Sequence, residues 1–242
     1  MPATVNFMST QVSIFHHNAD VMALDQAKLA EVVQGRYLPP VKLDGPDGPI
    51  LVMMSENAHS QIAFTSSHVA LNVQYSARWR SEPSQGRTYV LERVPLLFEL
   101  IANSQPRTLI YAGSILDAQI TTELPDGSIL GAIREEFGGA YGDDLSDLGI
   151  RTSTIVNGIH YRNLTVRNFR QFEVGPQTPP QIRLKNADAA LRGVEVLVDY
   201  NSRYGYNEGQ TVPVTPDSVV HLVEAGFETA VSVSTAVAER LP

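Results

Sequence analysis

Val194-Glu195-Val196-Leu197-Val198-Asp199-Tyr200 leads through a polar loop into Thr215-Pro216-Asp217 and an unbroken run to Arg240-Leu241, and the fold is read outward from these two segments. The first is rich in β-branched residues and reads as a strand. The second opens with the chemistry of a helix start. Thr215 can accept an orphan N–H, Pro216 suits the first helical position, and Asp217 sits at the positive end of the dipole. Val220, Val223, Phe227, Val231 and Leu241 recur at steps near three and four, with Val237 beside them, and predict one apolar face. A long helix of this kind needs a sheet to lie on, and the preceding strand supplies part of it.

Working back to the start of the chain, Val5 to Phe15 alternates as a strand. Asn18 or Asp20 can cap a helix running to Val33, which Gly35 stops. Leu38 to Pro49 contains Pro39-Pro40 and Asp44-Gly45-Pro46-Asp47-Gly48-Pro49, and its prolines and glycines read as a loop. Ile50 to Met54 is a short strand, and Gln61 to Tyr75 is one long strand or two short ones. Thr88 to Asn103 reads as a helix in which Pro95 marks a kink or a later start. Thr108 to Thr122 is a strand, Leu124-Pro125-Asp126-Gly127 a turn, and Ser128 to Phe137 a short helix. Ile150 to Val156 and Ile159 to Phe172 are strands joined by Asn157-Gly158, a dipeptide that readily takes the positive φ of a hairpin turn. The expected class is α+β: a mixed or largely antiparallel sheet backed by two long helices. Residues 1–104 and 105–242 both read as strand, helix, strands, helix, so the reading includes a pseudo-duplicated α+β unit within one compact body.

The 242 residues are 43% hydrophobic and only 18% charged, enough to bury a core and unlike a disordered chain. A net charge of -8 argues against broad nucleic-acid binding while leaving room for a local basic site. The absence of cysteine excludes disulfides, thiolate catalysis and cysteine zinc sites. Met1 to Asn6 is not a basic segment followed by an apolar one, and no apolar run reaches membrane-span length, so the expectation is a cytoplasmic protein. No phosphate-binding Gly-x-x-x-x-Gly-Lys loop, Gly-x-Gly-x-x-Gly, Gly-x-Ser-x-Gly or His-Glu-x-x-His occurs.

Val69-Ala70-Leu71-Asn72-Val73-Gln74-Tyr75 followed by Trp79, then Leu197-Val198-Asp199-Tyr200, then His221, Phe227 and Glu239-Arg240-Leu241 carry a resemblance. They are similar to an uncharacterised family of bacterial conserved-hypothetical proteins of like length. That family has a strand leading to a tyrosine and tryptophan before a helix, a late acidic strand and a closing helix. The resemblance implies no settled activity. It implies a bacterial or phage protein, with an accessory role in a toxin, immunity or phage-conflict system.

Four groups of residues are candidates for chemistry or binding. His16-His17 could hold a metal at a strand end, although strand neighbours point to opposite faces and no third ligand lies at useful spacing. Glu135-Glu136 with Asp143, Asp144 and Asp147 form an acidic cluster beside a glycine-rich loop. Such carboxylates bind divalent cations or share acid and base roles, or else form a solvated helix end. The hairpin from Arg151 to Phe172 concentrates Arg151, Arg162, Arg167 and Arg170 with Tyr161, Phe169 and Phe172 and carries no acid. Arginines beside aromatics bind single strands or acidic partners, and on an edge they also deter strand pairing. Arg78-Trp79-Arg80 is either an interface anchor or a cap on the core.

The leading expectation is a non-enzymatic protein without cofactor or bound metal, which binds a protein partner or self-assembles, with a homodimer expected from the general prevalence of symmetric pairs. Its contact residues are then Arg151, Tyr161, Arg162, Arg167, Phe169, Arg170, Arg78, Trp79 and Arg80. The alternatives are a metal-dependent hydrolase or nuclease using Glu135 to Asp144, and a nucleic-acid binder using the 151–172 hairpin. No membrane role is expected.

Overall fold

Alternation of apolar residues decides which strands form and which way they face. In β1 (Thr4–His16) Val12 and Ile14 are buried, and in β6 (Leu109–Thr121) Ala112, Leu116, Ala118 and Ile120 are buried, while their sequence neighbours are mostly half-buried. The computed structural model describes residues 3–57, 59–104, 108–138, 145–173 and 185–241. Its nine strands form a single sheet in the order β2-β3-β4-β5-β1-β6-β9-β8-β7. The others are β2 (Val41–Gly45), β3 (Gly48–Met54), β4 (Ser60–Phe64), β5 (His68–Gln74), β7 (Gly149–Val156), β8 (His160–Gln171) and β9 (Leu191–Asn201). Every neighbouring pair runs antiparallel.

β1 and β6 lie side by side near the centre, paired from Thr4↔Thr121 to His16↔Leu109. Outward from β1 come β5, β4, β3 and β2; outward from β6 come β9, β8 and β7. The helices are α1 (Gln26–Val33), α2 (Ala77–Ser81), α3 (Pro83–Leu91), α4 (Val94–Asn103), α5 (Asp126–Phe137), α6 (Arg203–Asn207) and α7 (Pro216–Arg240). α7 packs on β6, β9 and β1, α4 on β5 and α7, and α5 on β8, β9 and α7, so these helices share one face of the sheet. Among the described residues no helix is long and apolar enough to cross a membrane.

α7 starts as its sequence requires. Thr215 accepts from the Ser218 N–H at 3.2 Å, and the Ser218 hydroxyl faces the Thr215 N–H at 2.9 Å, closing a reciprocal cap. Its buried face differs from the one expected. Val219, Leu222, Val223, Gly226, Phe227, Ala230, Ser234 and Val237 are buried, whereas Val231 is 42% exposed. Small residues at Gly226, Ala230 and Ser234, four apart, let the helix lie close on β6. There the Ser114 hydroxyl donates to the Leu222 carbonyl at 3.0 Å, and a Cβ on Gly226 would come within 3.0 Å of that hydroxyl. Counting only large apolar residues rotates the inferred face.

Two further expectations are corrected. Leu38 to Pro49 is not a loop throughout, because Val41–Gly45 and Gly48–Met54 form a hairpin. An edge strand has only one row of backbone groups to pair, so prolines at its borders do not prevent it. Thr88 to Asn103 is not one helix: α3 ends at Leu91 and α4 begins at Val94, with Pro95 in the first turn, where its missing N–H is not needed. Gln61 to Tyr75 is two strands, β4 and β5, and the Asn157-Gly158 hairpin is present, with φ of 52° and 66°.

Gly193 of β9 lies between Thr121 of β6 and Phe169 of β8, and a Cβ there would sit 1.9 Å from the Ile120 carbonyl oxygen. Gly193→Ala should therefore lower the unfolding free energy by about 3 kcal/mol in urea titration. Gly131→Ala on α5, where an added Cβ meets nothing within 4 Å, should raise it by about 0.5–1 kcal/mol.

Candidate functional site

The sheet's second face is built from the alternate residues of each strand. Across its middle the register aligns Asn72, Gln11, Ile115, Asp199, Asn163 and Ser153, and next to them Ser9, Asp117, Leu197, Thr165 and Arg151. These are mostly polar. Asp199 accepts from the side-chain amides of Asn163 at 2.9 Å and Asn201 at 2.8 Å, and the Ser153 hydroxyl donates to Asn163 Oδ1 at 2.7 Å. The central part of this face is thus a hydrogen-bonded polar surface.

One end of the same face is apolar. Val41 and Leu43 of β2, Ile50, Val52 and Met54 of β3, and Ala63 of β4 join Leu38 and Pro39 in lining a groove of about 510 Å³. Leu38, Val41 and Leu43 are 49%, 57% and 51% exposed. Solvated strands usually turn polar residues outward, so contiguous exposed aliphatics on an edge hairpin mark a surface made for contact.

A third feature crowns the end of the face nearest α6. Phe15 stacks on Tyr111 with ring centroids 4.3 Å apart, His68 lies 5.2 Å from Phe15, and Tyr206 lies 5.8 Å from Tyr111. Arg203 lies over Tyr111 at 6.0 Å. Burial pushes the Tyr111 hydroxyl up and the His68 imidazole down, so His68 is neutral over more of the acid range than an open histidine. The Thr65 and Ser67 hydroxyls lie 2.9 and 3.2 Å from His68 Nδ1 at the border of this row.

The arginines of the β7–β8 hairpin do not gather on one surface. Arg170, with a side chain only 10% exposed, bonds Asp126 at 2.9 Å and Asp147 at 2.6 Å. The Asn168 amide and then Arg170 hold the Asp147 carboxyl below its usual range. Arg167, on the opposite face, is paired with Glu195. Arg162 faces the helix side near Glu228 and Ser232 of α7, whereas Arg151 faces the other side together with Arg167, whose side chain stays 60% exposed beside Glu195. Tyr161 packs edge-on against Tyr204 at 5.2 Å, while Phe169 sits on the second face opposite Gly193.

Trp79 is half-buried among Tyr75, Tyr89 and His59, with Tyr89 at 4.9 Å, and so caps the core. Arg80 donates to the Tyr75 carbonyl at 3.3 Å, and Arg78 lies 3.9 Å from Glu82. A buried chain beneath Trp79 escaped the sequence reading. The hydroxyls of Tyr37 and Ser60 are 2.9 Å apart, those of Ser60 and Tyr89 2.7 Å, and the Arg93 guanidinium covers the Tyr89 ring at 3.2 Å. These residues come from four separate elements or loops, with no local signal to join them.

Of the acidic cluster, Glu135 and Glu136 both engage Arg240, at 3.0 and 3.3 Å, and Asp147 engages Arg170. Asp143 and Asp144 lie outside the described residues. Among the described residues no group of three or more His, Asp or Glu side chains is arranged to hold a metal ion. No protein-family model matches the chain, and no curated protein matches it significantly.

Arg162→Glu should leave stability within about 0.5 kcal/mol of wild type, while Arg170→Glu should cost about 3 kcal/mol or more, because Asp126 and Asp147 would then face a third carboxylate. Chemical unfolding of the two variants checks this. Asp117 gives a pH test. One of its carboxylate oxygens is buried without a partner, and burial, followed by Glu195, raises its pKa from 3.8 to about 6. The folded state holds this proton more tightly than the unfolded state, so the contribution is lost as pH rises through that interval and the ionised group is a burden above it. Asp117→Asn should accordingly be more stable than wild type at about pH 8, and the gap should close by about pH 4 in paired urea titrations.

Proposed function

We propose that this chain is a protein-recognition module without catalysis, and that it engages a protein partner or further copies of itself through the apolar end of its second sheet face. The observation that carries this reading is the run of exposed Leu38, Val41 and Leu43 on a free edge hairpin, continuous with Ile50, Val52 and Met54. Aliphatic side chains held on a rigid sheet lose little freedom on binding, so their burial against a partner is efficient. Among the described residues the outer edge of β2 has no strand beside it, so it adds backbone groups that an extended segment can satisfy.

The hairpin arginines are given a smaller part than the sequence implied. Arg170 is buried in ion pairs with Asp126 and Asp147, Arg167 is paired with Glu195 at the surface, and Arg162 lies on the face opposite to Arg151 and Arg167. That distribution, in a protein of net charge -8, also weighs against a nucleic-acid surface there. An accessory role in a toxin, immunity or phage-conflict system is the setting we propose; its support is the resemblance of the strand–Tyr–Trp and closing-helix segments alone.

A photo-crosslinking amino acid placed at Val41 should capture protein in the cell, while the same group at Ser153, near the far edge, should not. Leu38→Ser/Leu43→Ser should suppress the capture and keep the wild-type urea midpoint, because both side chains are half exposed. Equal capture at the two positions, or none at Val41, overturns the reading.

A further inference from the structure

We infer that the occupant of the groove is a second copy of this chain, bound by antiparallel pairing of β2 with β2 about a two-fold axis at Leu43. This rests on the reading of the groove as a protein-binding surface and adds the identity and register of what binds there.

Among the described residues β2 is the outermost strand on its side of the sheet, and only its β3 side is paired. Which of its residues offer backbone groups outward follows from Pro49. In an antiparallel ladder, opposed residues alternate between pairs that exchange two backbone bonds and pairs that exchange none. Asp44 is opposed to Pro49, which has no N–H, so this pair cannot be an exchanging one. Gly45, Leu43 and Val41 therefore bond inward to β3, and Lys42 and Asp44 direct their N–H and C=O groups to the free edge. Pro40 and Pro46 flank the strand and have no N–H to extend such a ladder. The available edge is thus short and bounded at both ends.

Symmetry and charge select one register. A two-fold axis at Lys42 would oppose Lys42 to its own copy, and one at Asp44 would oppose two carboxylates, both directly across a bonded pair. Such like-charge pairs are destabilising. An axis at Leu43 opposes Lys42 of each copy to Asp44 of the other. The two pairs then exchange four backbone hydrogen bonds, with opposite charges facing each other on the helix side of the sheet. On the second face Leu43 meets Leu43 of the second copy, and Val41 meets Gly45, over which the Ile50 side chain lies, so that Val41 of one copy faces Ile50 of the other. The aliphatic strip of Leu38, Val41, Leu43, Ile50 and Val52 becomes continuous across the axis. The opposite edge lacks these properties. β7 presents Arg151, Thr152, Ser153 and Thr154, all exposed and polar, with Ile155 alone apolar among them. A pairing closed by a two-fold axis stops at two copies.

The test is a charge exchange read by sedimentation equilibrium on four proteins: wild type, Lys42→Asp, Asp44→Lys and the double variant. Both side chains are exposed, so the fold should be retained, and circular dichroism checks it. Wild type should have twice the chain mass of 26.5 kDa. Each single exchange places like charges in both pairs and should weaken association by about tenfold or more. The double variant restores opposite charges and should recover the doubled mass. A monomeric wild type, an assembly larger than two chains, a dimer indifferent to the single exchanges, or failure of the double variant to recover would each overturn the inference. The crosslink from Val41 separates the two claims: capture of a different protein there, with a monomeric wild type, keeps the groove as a binding surface and removes the second copy from it.

Discussion

The structure depends on the pairing of two thirteen-residue strands, β1 and β6, which lie side by side and tie the early part of the chain to the late part. Each carries further strands outward on its free side, and both lie beneath α7. The helices taken up by that arrangement cover one face. The other face has to be compatible with water, and over β1, β6, β9 and β8 it is, through Gln11, Ser9, Asp199, Asn163 and Thr165. Aliphatic residues on this face are concentrated where β2 and β3 end the sheet. Their position is informative because the middle of the face is mostly polar, while here exposed aliphatics lie side by side.

Much of the fold is legible in the sequence because its signals are local. Thr215-Pro216-Asp217 starts α7 and Asn157-Gly158 turns the β7–β8 hairpin through contacts within a few residues. Antiparallel strands and packed helices also follow from the alternation and spacing of apolar residues. The misreadings come from signals whose meaning depends on position in the finished sheet. Prolines at 39, 40, 46 and 49 read as a loop, yet the first three flank a border strand and Pro49 of β3 lies beyond the reach of β4. The buried face of α7 turns on Gly226, Ala230 and Ser234, small residues that no count of large apolar side chains would choose.

The candidate site was less legible, for the same reason. An arginine's charge is visible in the sequence, but its partner is not. Asp126 lies 44 residues from Arg170, and Glu195 lies 28 residues from Arg167. The pair with Asp126 makes Arg170 an internal brace, while Arg167 keeps its guanidinium at the surface beside Glu195. The groove, in turn, draws on Leu38, Val41 and Leu43, which fall within the stretch dismissed as connection. A site made of an edge strand is hidden whenever that strand is taken for a loop.

The place of β9 in the sheet has a consequence for how the molecule is made. It inserts between β6 and β8, both of which precede it in the chain. On a ribosome the β7–β8 hairpin can close by itself, since its pairing is local, yet it has no docking strand until residues 191–201 have emerged. During that interval β6 keeps one row of backbone groups unpaired beside its apolar residues, and its central partnership with β1 already spans most of a hundred residues or so. Assembly of this half therefore waits for the last strand and the helix behind it. The nascent chain is most vulnerable to wrong pairing just before β9 emerges, which makes residues 191–241 the step that commits the fold.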